Sequence, residues 1–191
     1  MRNSGVDRLV KLGVLAALSC LMMLIRFPIF PTAPFLEYDM ADVPILIGTF
    51  LYGPWWGLLL TAVVCILQGI TISSASGIIG ILMHFFATGG FVIVAGLIYR
   101  RIHTFKGALI SLVCGALTMI LLMIPLNLLF TGLFMGTPID KIAAMLLPVI
   151  IPFNAIKAFG NSIITLLLYK LIGRVLKIEF IHAKTDNRPQ E

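Results

Sequence analysis

Charge is what this sequence has least of. Of 191 residues only 12% are Asp, Glu, Lys or Arg, while 60% are hydrophobic, against about 25% and about 45–50% in a soluble domain. The mean hydropathy is +1.07. A chain of this size has too little interior to hide so much apolar surface, which excludes an ordinary soluble fold. It predicts an all-α integral membrane protein forming a single membrane domain over residues 1–191. Cysteine is also scarce. Cys20, Cys65 and Cys114 are far apart and each lies in an apolar run, so they give neither a disulfide framework nor metal spacing and read as small hydrophobes. His84, His103 and His182 form no paired motif, so no metal is expected. There is no Gly-rich phosphate loop, no Gly-x-Ser-x-Gly elbow, no carboxylate at mid-membrane to carry protons and no evident repeat of one half in the other. These absences predict a chain that is not an enzyme, needs no cofactor and uses no ATP by itself. Binding without a power source of its own is what they leave.

Six apolar spans fit the hydropathy, over about 9–27, 42–52, 55–71, 78–99, 105–134 and 148–172. The first is too long for the apolar part of a cleaved signal and lacks a small-x-small site at its end, so it is expected to stay as a helix. Pro28, Pro31 and Pro34 stop it and predict an ordered loop over 29–40. Gly53-Pro54 reads as a turn with Pro54 opening the next helix, and residues 73–77 as a small polar turn. Pro125 is expected to interrupt the fifth span. Gly136-Thr137-Pro138 opens a loop, with a short amphipathic helix over 140–147.

The net charge of +6 points to a membrane rather than to nucleic acid, because of where the positive residues lie. Eleven of the 14 form three clusters, at Arg2, Arg8 and Lys11, at Arg100, Arg101 and Lys106, and along the tail from Lys170 to Arg188. With six crossings all three fall on one side, which the positive-inside rule makes the cytoplasm together with both termini. The acidic loop with Glu37, Asp39 and Asp42 then lies outside. Tyr52, Trp55 and Trp56 read as an interfacial aromatic anchor.

Lys157 breaks the pattern. It lies within a run that is otherwise uncharged, with Asn154 three residues before and Asn161 four after, a spacing that puts all three on one helix face. A charge at membrane depth costs at least a few kcal/mol and is kept where it faces protein or a wet cavity. Asn127, two residues after Pro125, lies at similar depth. Asn127, Asn154 and Lys157 together offer amide donors, amide acceptors and one cation. The competing reading is that Lys157 snorkels to the outer interface while the asparagines bond neighbouring helices.

Four lesser features stand beside it. The loop Phe35-Leu36-Glu37-Tyr38-Asp39-Met40-Ala41-Asp42-Val43-Pro44 mixes aromatics with acids; it is placed to cover a ligand, with Asp42 as cap of the second helix. Gly13-x-x-x-Ala17, with Ala16 and Cys20, makes a small-residue face on the first span that suits close helix packing. Gln68 and His84 are single polar groups in apolar runs, better explained as an interhelical hydrogen bond than as ligand contacts.

The loop, the segment Gly80-Ile81-Leu82-Met83-His84-Phe85 and the segment Pro152-Phe153-Asn154-Ala155-Ile156-Lys157 resemble the riboflavin-specific S components of energy-coupling factor (ECF) transporters over about residues 9–173. The resemblance implies a six-helix subunit in a bacterial plasma membrane that captures riboflavin from outside, with FMN as a further candidate ligand. It implies that Asn127, Asn154 and Lys157 hold the isoalloxazine ring, that Gly13, Ala16 and Ala17 face a membrane coupling subunit, and that two ATPase subunits complete the transporter. The family pattern is Ala-x-x-x-Ala, which Gly13-x-x-x-Ala17 meets only approximately.

The residue chemistry agrees. Riboflavin's pyrimidine edge presents an acceptor, a donor and an acceptor in a row; an asparagine can bond two of these and an ammonium can donate to the others. The flat ring suits Phe35, Leu36, Tyr38 or Leu128, and Gln68, Thr71 and Ser76 are candidates for the ribityl hydroxyls. The alternatives are an S component for thiamine or biotin, an intramembrane enzyme using Glu37, Asp39 and Asp42, or a proton-coupled carrier.

Overall fold

The computed structural model describes residues 4–71 and 77–186, so the turn containing Ser73 and Ser76 lies outside the described residues. The chain folds as a helical bundle in the order α1 (Ser4–Leu24), β1 (Phe27–Pro28), β2 (Glu37–Tyr38), α2 (Asp42–Tyr52), α3 (Pro54–Ile70), α4 (Gly77–Arg101), α5 (Phe105–Leu126), α6 (Gly132–Met135), α7 (Ile139–Met145) and α8 (Ile151–Asp186). Two π-helical segments, Asn127–Thr131 and Leu146–Ile150, join α5 to α6 and α7 to α8. The helices therefore group into six continuous rods among the described residues.

Three rods are long and apolar enough to cross a membrane, Gly77–Arg101, Phe105–Met135 and Ile139–Tyr169. The helices α2 and α3 are shorter, at 11 and 17 residues, about 16 and 25 Å at 1.5 Å per residue. The sequence predicts their bounds closely because Gly53, at φ +97°, reverses the chain and Pro54 follows at the first helical turn, where its missing N–H costs nothing. Thr104 caps α5, its hydroxyl accepting from the Gly107 N–H at 3.0 Å.

Two sequence expectations about prolines fail together. Pro125 does not interrupt its span, and the short helix expected over 140–147 is not separate from the span expected over 148–172 but runs into it as one rod. In both places the helix slips into π geometry beside a proline, Pro125 before Asn127–Thr131 and Pro148 inside Leu146–Ile150. A proline leaves one carbonyl without its donor, and a wider turn accommodates the gap without breaking the rod. The rod does end where expected: Gly136 takes φ +60°, and the Thr137 N–H bonds back to the Gly132 carbonyl at 3.1 Å.

Small residues let the rods approach. A Cβ on Gly96 would lie 2.7 Å from Pro54, and one on Gly115 would collide with the Phe91 ring, so α4 packs backbone-close against α3 and α5. The main core gathers Leu46, Leu60, Val64, Phe91, Leu112 and Met119. A second cluster ties the loop down: Ala33 and Leu36 pack with Ile142, Val149, Ile150 and Phe153. The expected irregular loop also contains an antiparallel pairing of Phe27 with Tyr38 and Pro28 with Glu37.

On α1, Gly13 and Ala17 face outward while Ala16 turns the other way, into the core with Leu12 and Met23. This corrects the expectation of a single face holding Gly13, Ala16 and Ala17. Gly13 and Ser19 both lie three residues from Ala16, and packing decides between them: Leu12, Ala16, Ser19 and Met23 are buried while Gly13 is exposed. The three cysteines are unpaired.

Candidate functional site

A cavity of about 430 Å³ opens at one end of the bundle, within the range of roughly 300–1,000 Å³ usual for small-molecule sites. Its walls come from the end of α1 (Met23, then Arg26), the loop (Phe35, Leu36, Glu37, Asp39), the end of α3 (Cys65, Gln68), the first half of α4 (Met83, His84), the late α5 rod (Met123, Asn127, Thr131) and the start of α8 (Phe153, Asn154, Lys157). Ends and starts alternate along the chain, as an up-and-down bundle requires of residues meeting at one end.

Its charges are paired off. The Lys157 ammonium donates to Asp39 Oδ2 at 2.8 Å, with 11% and 6% of the two side chains exposed. Arg26 meets Glu37 at 2.8 Å nearer the surface. Lys157 therefore turns inward onto a loop carboxylate and does not snorkel. A buried charge is stable only with a counter-ion and further hydrogen bonds, and the loop supplies one. Asp39 also fixes the backbone, since its Oδ1 accepts from the Ala41 N–H at 3.0 Å and so holds the chain as it enters α2.

Asp42 does not cap α2 as expected. The N-cap position is Ala41, and the fully buried Asp42 carboxylate reaches across the bundle. It accepts from Thr88 Oγ1 at 2.9 Å and Asn161 Nδ2 at 3.2 Å, and His84 Nε2 lies 3.1 Å away. The other ring nitrogen of His84 faces Gln68 Oε1, so the two polar groups, each expected to make an interhelical hydrogen bond, meet one another. Asn161 completes the frame by donating also to the Asp39 carbonyl at 3.2 Å and accepting from the Tyr38 hydroxyl at 3.0 Å. Burial raises the pKa of the Tyr38 phenol, which keeps it a neutral donor there.

The two asparagines differ in what they have left to offer. Asn127 donates to the Met123 carbonyl at 2.8 Å and accepts from Thr131 Oγ1 at 2.9 Å. Asn154 donates to the Ile150 carbonyl at 2.8 Å, but its buried Oδ1 has no partner among the described residues. A buried acceptor left empty costs about 1–3 kcal/mol, and this one belongs to a residue beside the cavity. Both asparagines bond a carbonyl four residues back beside a π-helical segment.

Asn127, Asn154, Lys157, Phe35, Leu36 and Gln68 all line the cavity. Tyr38 does not line it; its ring packs 5.5 Å from Phe27 and its hydroxyl serves Asn161. Leu128 packs in the loop cluster instead. Thr71 donates to its own helix at the Leu67 carbonyl and is not among the residues lining the cavity. Sequence reading missed Arg26, Met23, Met83, Met123, Phe134 and Phe153 as lining residues. Arg26 alone carried a signal, as a cation outside every basic cluster.

Against known proteins, the chain matches the family model described as "ECF transporter, substrate-specific component" over residues 7–169. It is 30% identical over 173 residues to "Riboflavin transporter FmnP" of Bacillus subtilis (strain 168), covering 86% of this chain and 90% of that protein. It is also 30% identical over 176 residues to "Riboflavin transporter RibU" of Staphylococcus aureus (strain TCH60), covering 89% and 92%. A solved structure described as "Structure and mechanism of the S component of a bacterial ECF transporter" superposes with a TM-score of 0.79 at 30% identity, covering 91% of this chain and 99% of that one.

Proposed function

This chain belongs to the substrate-specific components of ECF transporters, and from that premise we propose that it captures riboflavin in the cavity roofed by residues 29–40. The family consists of transport components, which removes the enzyme reading, and no cofactor is expected. The observation that carries the ligand assignment is the charge-balanced cavity with one orphan acceptor. With Lys157 paired to Asp39 and Arg26 to Glu37, neither a cationic ligand such as thiamine nor an anionic one such as biotin finds an unpaired counter-charge there. A neutral ligand with an N–H at the edge of a flat ring suits Asn154 Oδ1. Riboflavin's N3–H is such a donor, flanked by carbonyls that the remaining N–H groups of Lys157 suit, while Asn127 can contribute by trading its weak contact with Met123 Sδ at 3.9 Å for a ring acceptor. Methionines and phenylalanines supply the apolar faces for the ring.

FMN carries the same ring with a phosphate added, and its charge would have to compete for Arg26 with Glu37. Riboflavin is therefore the ligand the cavity favours. Titrating the purified chain with riboflavin tests the assignment through quenching of flavin fluorescence. Saturable quenching that thiamine and biotin do not displace is expected. A preparation that ignores riboflavin but binds one of the other two vitamins sinks the reading.

The protein is a multi-pass plasma-membrane subunit with the loop outside and both termini in the cytoplasm. The support is Arg8, Lys11, Arg100, Arg101 and Lys106 at the ends of α1, α4 and α5 remote from the cavity. A cysteine placed at Thr32 should react with an impermeant thiol reagent added to intact cells, and one at His103 only after lysis; the reverse pattern inverts the topology.

Power comes from a membrane coupling subunit and two ATPase subunits, met through the outward face of α1 around Gly13 and Ala17. A Cβ on Gly13 would touch nothing within 4 Å, so this flat strip is open to a partner helix. Ala17→Trp should leave riboflavin binding unchanged and abolish uptake into cells. Uptake at the wild-type rate would move the coupling surface elsewhere.

A further inference from the structure

A second concavity of about 430 Å³ lies at the other end of the bundle, between the α2–α3 turn and the end of α4. The riboflavin reading makes no use of it. Its walls are aromatic and cationic: Tyr52, Trp56 and Tyr99 with Arg100 and His103, and no carboxylate lines it among the described residues. The walls are held in place. The Tyr99 hydroxyl bonds that of Tyr169 at 2.7 Å, the His103 ring lies 5.2 Å from the Tyr99 ring, and the Arg8 guanidinium sits 5.3 Å over Trp56.

The concavity continues onto a greasy outer surface. Leu51 and Trp55 line it and are 47% and 65% exposed, and Leu59, one turn beyond Trp55 on α3, is 50% exposed. Tryptophans at such a place mark the membrane–water boundary. A cation in an acid-free pocket, opening on apolar surface at that boundary, has the chemistry of an amphiphile's headgroup site. We propose that this concavity binds the phosphate of an anionic phospholipid, with Arg100 as the charge partner, His103 as a second donor, and the acyl chains lying along Leu51, Trp55 and Leu59. The source is membrane lipid and not a soluble anion, because the apolar strip adds nothing to the binding of a free phosphate. The proposal rests on the membrane placement of the chain and is independent of which vitamin it carries.

The test places the full chain in nanodiscs of phosphatidylcholine and phosphatidylglycerol in equal parts, and counts retained lipids by native mass spectrometry. Wild type should hold phosphatidylglycerol over phosphatidylcholine by about fivefold, the scale expected of one arginine at an anionic surface. Arg100→Gln should bring the ratio near parity. Arg101→Gln, which alters the same net charge outside the concavity, should keep it. Equal loss in both variants means diffuse membrane electrostatics and overturns the site, as does a preference that survives Arg100→Gln. Inorganic phosphate added at millimolar concentration should not displace the lipid; displacement would reassign the concavity to a soluble anion. Riboflavin titration of the same Arg100→Gln sample, expected to match wild type, shows that the bundle is folded and keeps this result separate from the ligand assignment.

Discussion

Replacing Asn154 with leucine should weaken riboflavin binding about 5- to 150-fold while leaving the bundle folded. The range corresponds to the roughly 1–3 kcal/mol lost when a buried hydrogen-bonding group loses its partner. Asn154 is buried, yet its Oδ1 accepts from nothing among the described residues. In the free protein that unpaired acceptor is a standing cost, which a ligand N–H would remove. Leucine is close in size and cannot accept, so the ligand's own donor would enter the cavity unpaired. The amide's other contact, with the Ile150 carbonyl, lies within one helix and its loss should shift thermal stability only slightly. Fluorescence titration together with thermal unfolding in detergent checks both halves. Unchanged affinity in a folded Asn154→Leu protein would mean that the orphan acceptor is not where the ligand docks.

The second large effect concerns Lys157 and Asp39. Each single neutral substitution, Lys157→Met or Asp39→Asn, leaves the other charge buried, and breaking such a pair costs about 3–5 kcal/mol. Removing both charges together should restore much of that loss, since neither is then uncompensated. Stability alone would not reveal whether Lys157 also touches the ligand. Binding does. The ammonium gives one of its three N–H groups to Asp39, and the others remain for ring acceptors. The double variant should therefore recover its melting temperature but still bind riboflavin about 10- to 150-fold more weakly, the range for a hydrogen bond to a charged group. Full recovery of binding in the double variant would reduce Lys157 to a strut that holds the loop.

Much of this site was legible in the sequence, because lipid makes polarity conspicuous. Asn127, Asn154 and Lys157 stand out where almost everything else is apolar, and their spacing puts Asn154 and Lys157 on one face. The loop's part was harder to read. Asp39 and Asp42 look like solvated acids beside prolines, and Asp42 fits a helix cap. Their side chains instead turn inward to Lys157, His84, Thr88 and Asn161. Those partners lie 42 to 119 residues away, and no local pattern encodes pairings at that distance. A rule was available nonetheless: an intramembrane lysine needs an anion, and carboxylates are few. Tyr38 erred in the opposite direction. It reads as a stacking platform but serves as a strut, since the pairing with Phe27 points its hydroxyl at Asn161.

Composition and periodicity by themselves determined that this is a helical membrane protein, where the short helices α2 and α3 begin and end, and which scarce polar groups stand out, since burying polarity in lipid is costly. Only the tertiary structure decided which polar groups cancel one another and which is left over. That outcome depends on distances between helices remote in sequence, set by glycine-close packing and by two π-helical segments beside prolines. Ala16 is the plainest case, a small residue next to Ala17 in the chain whose direction was fixed by the helix it packs against.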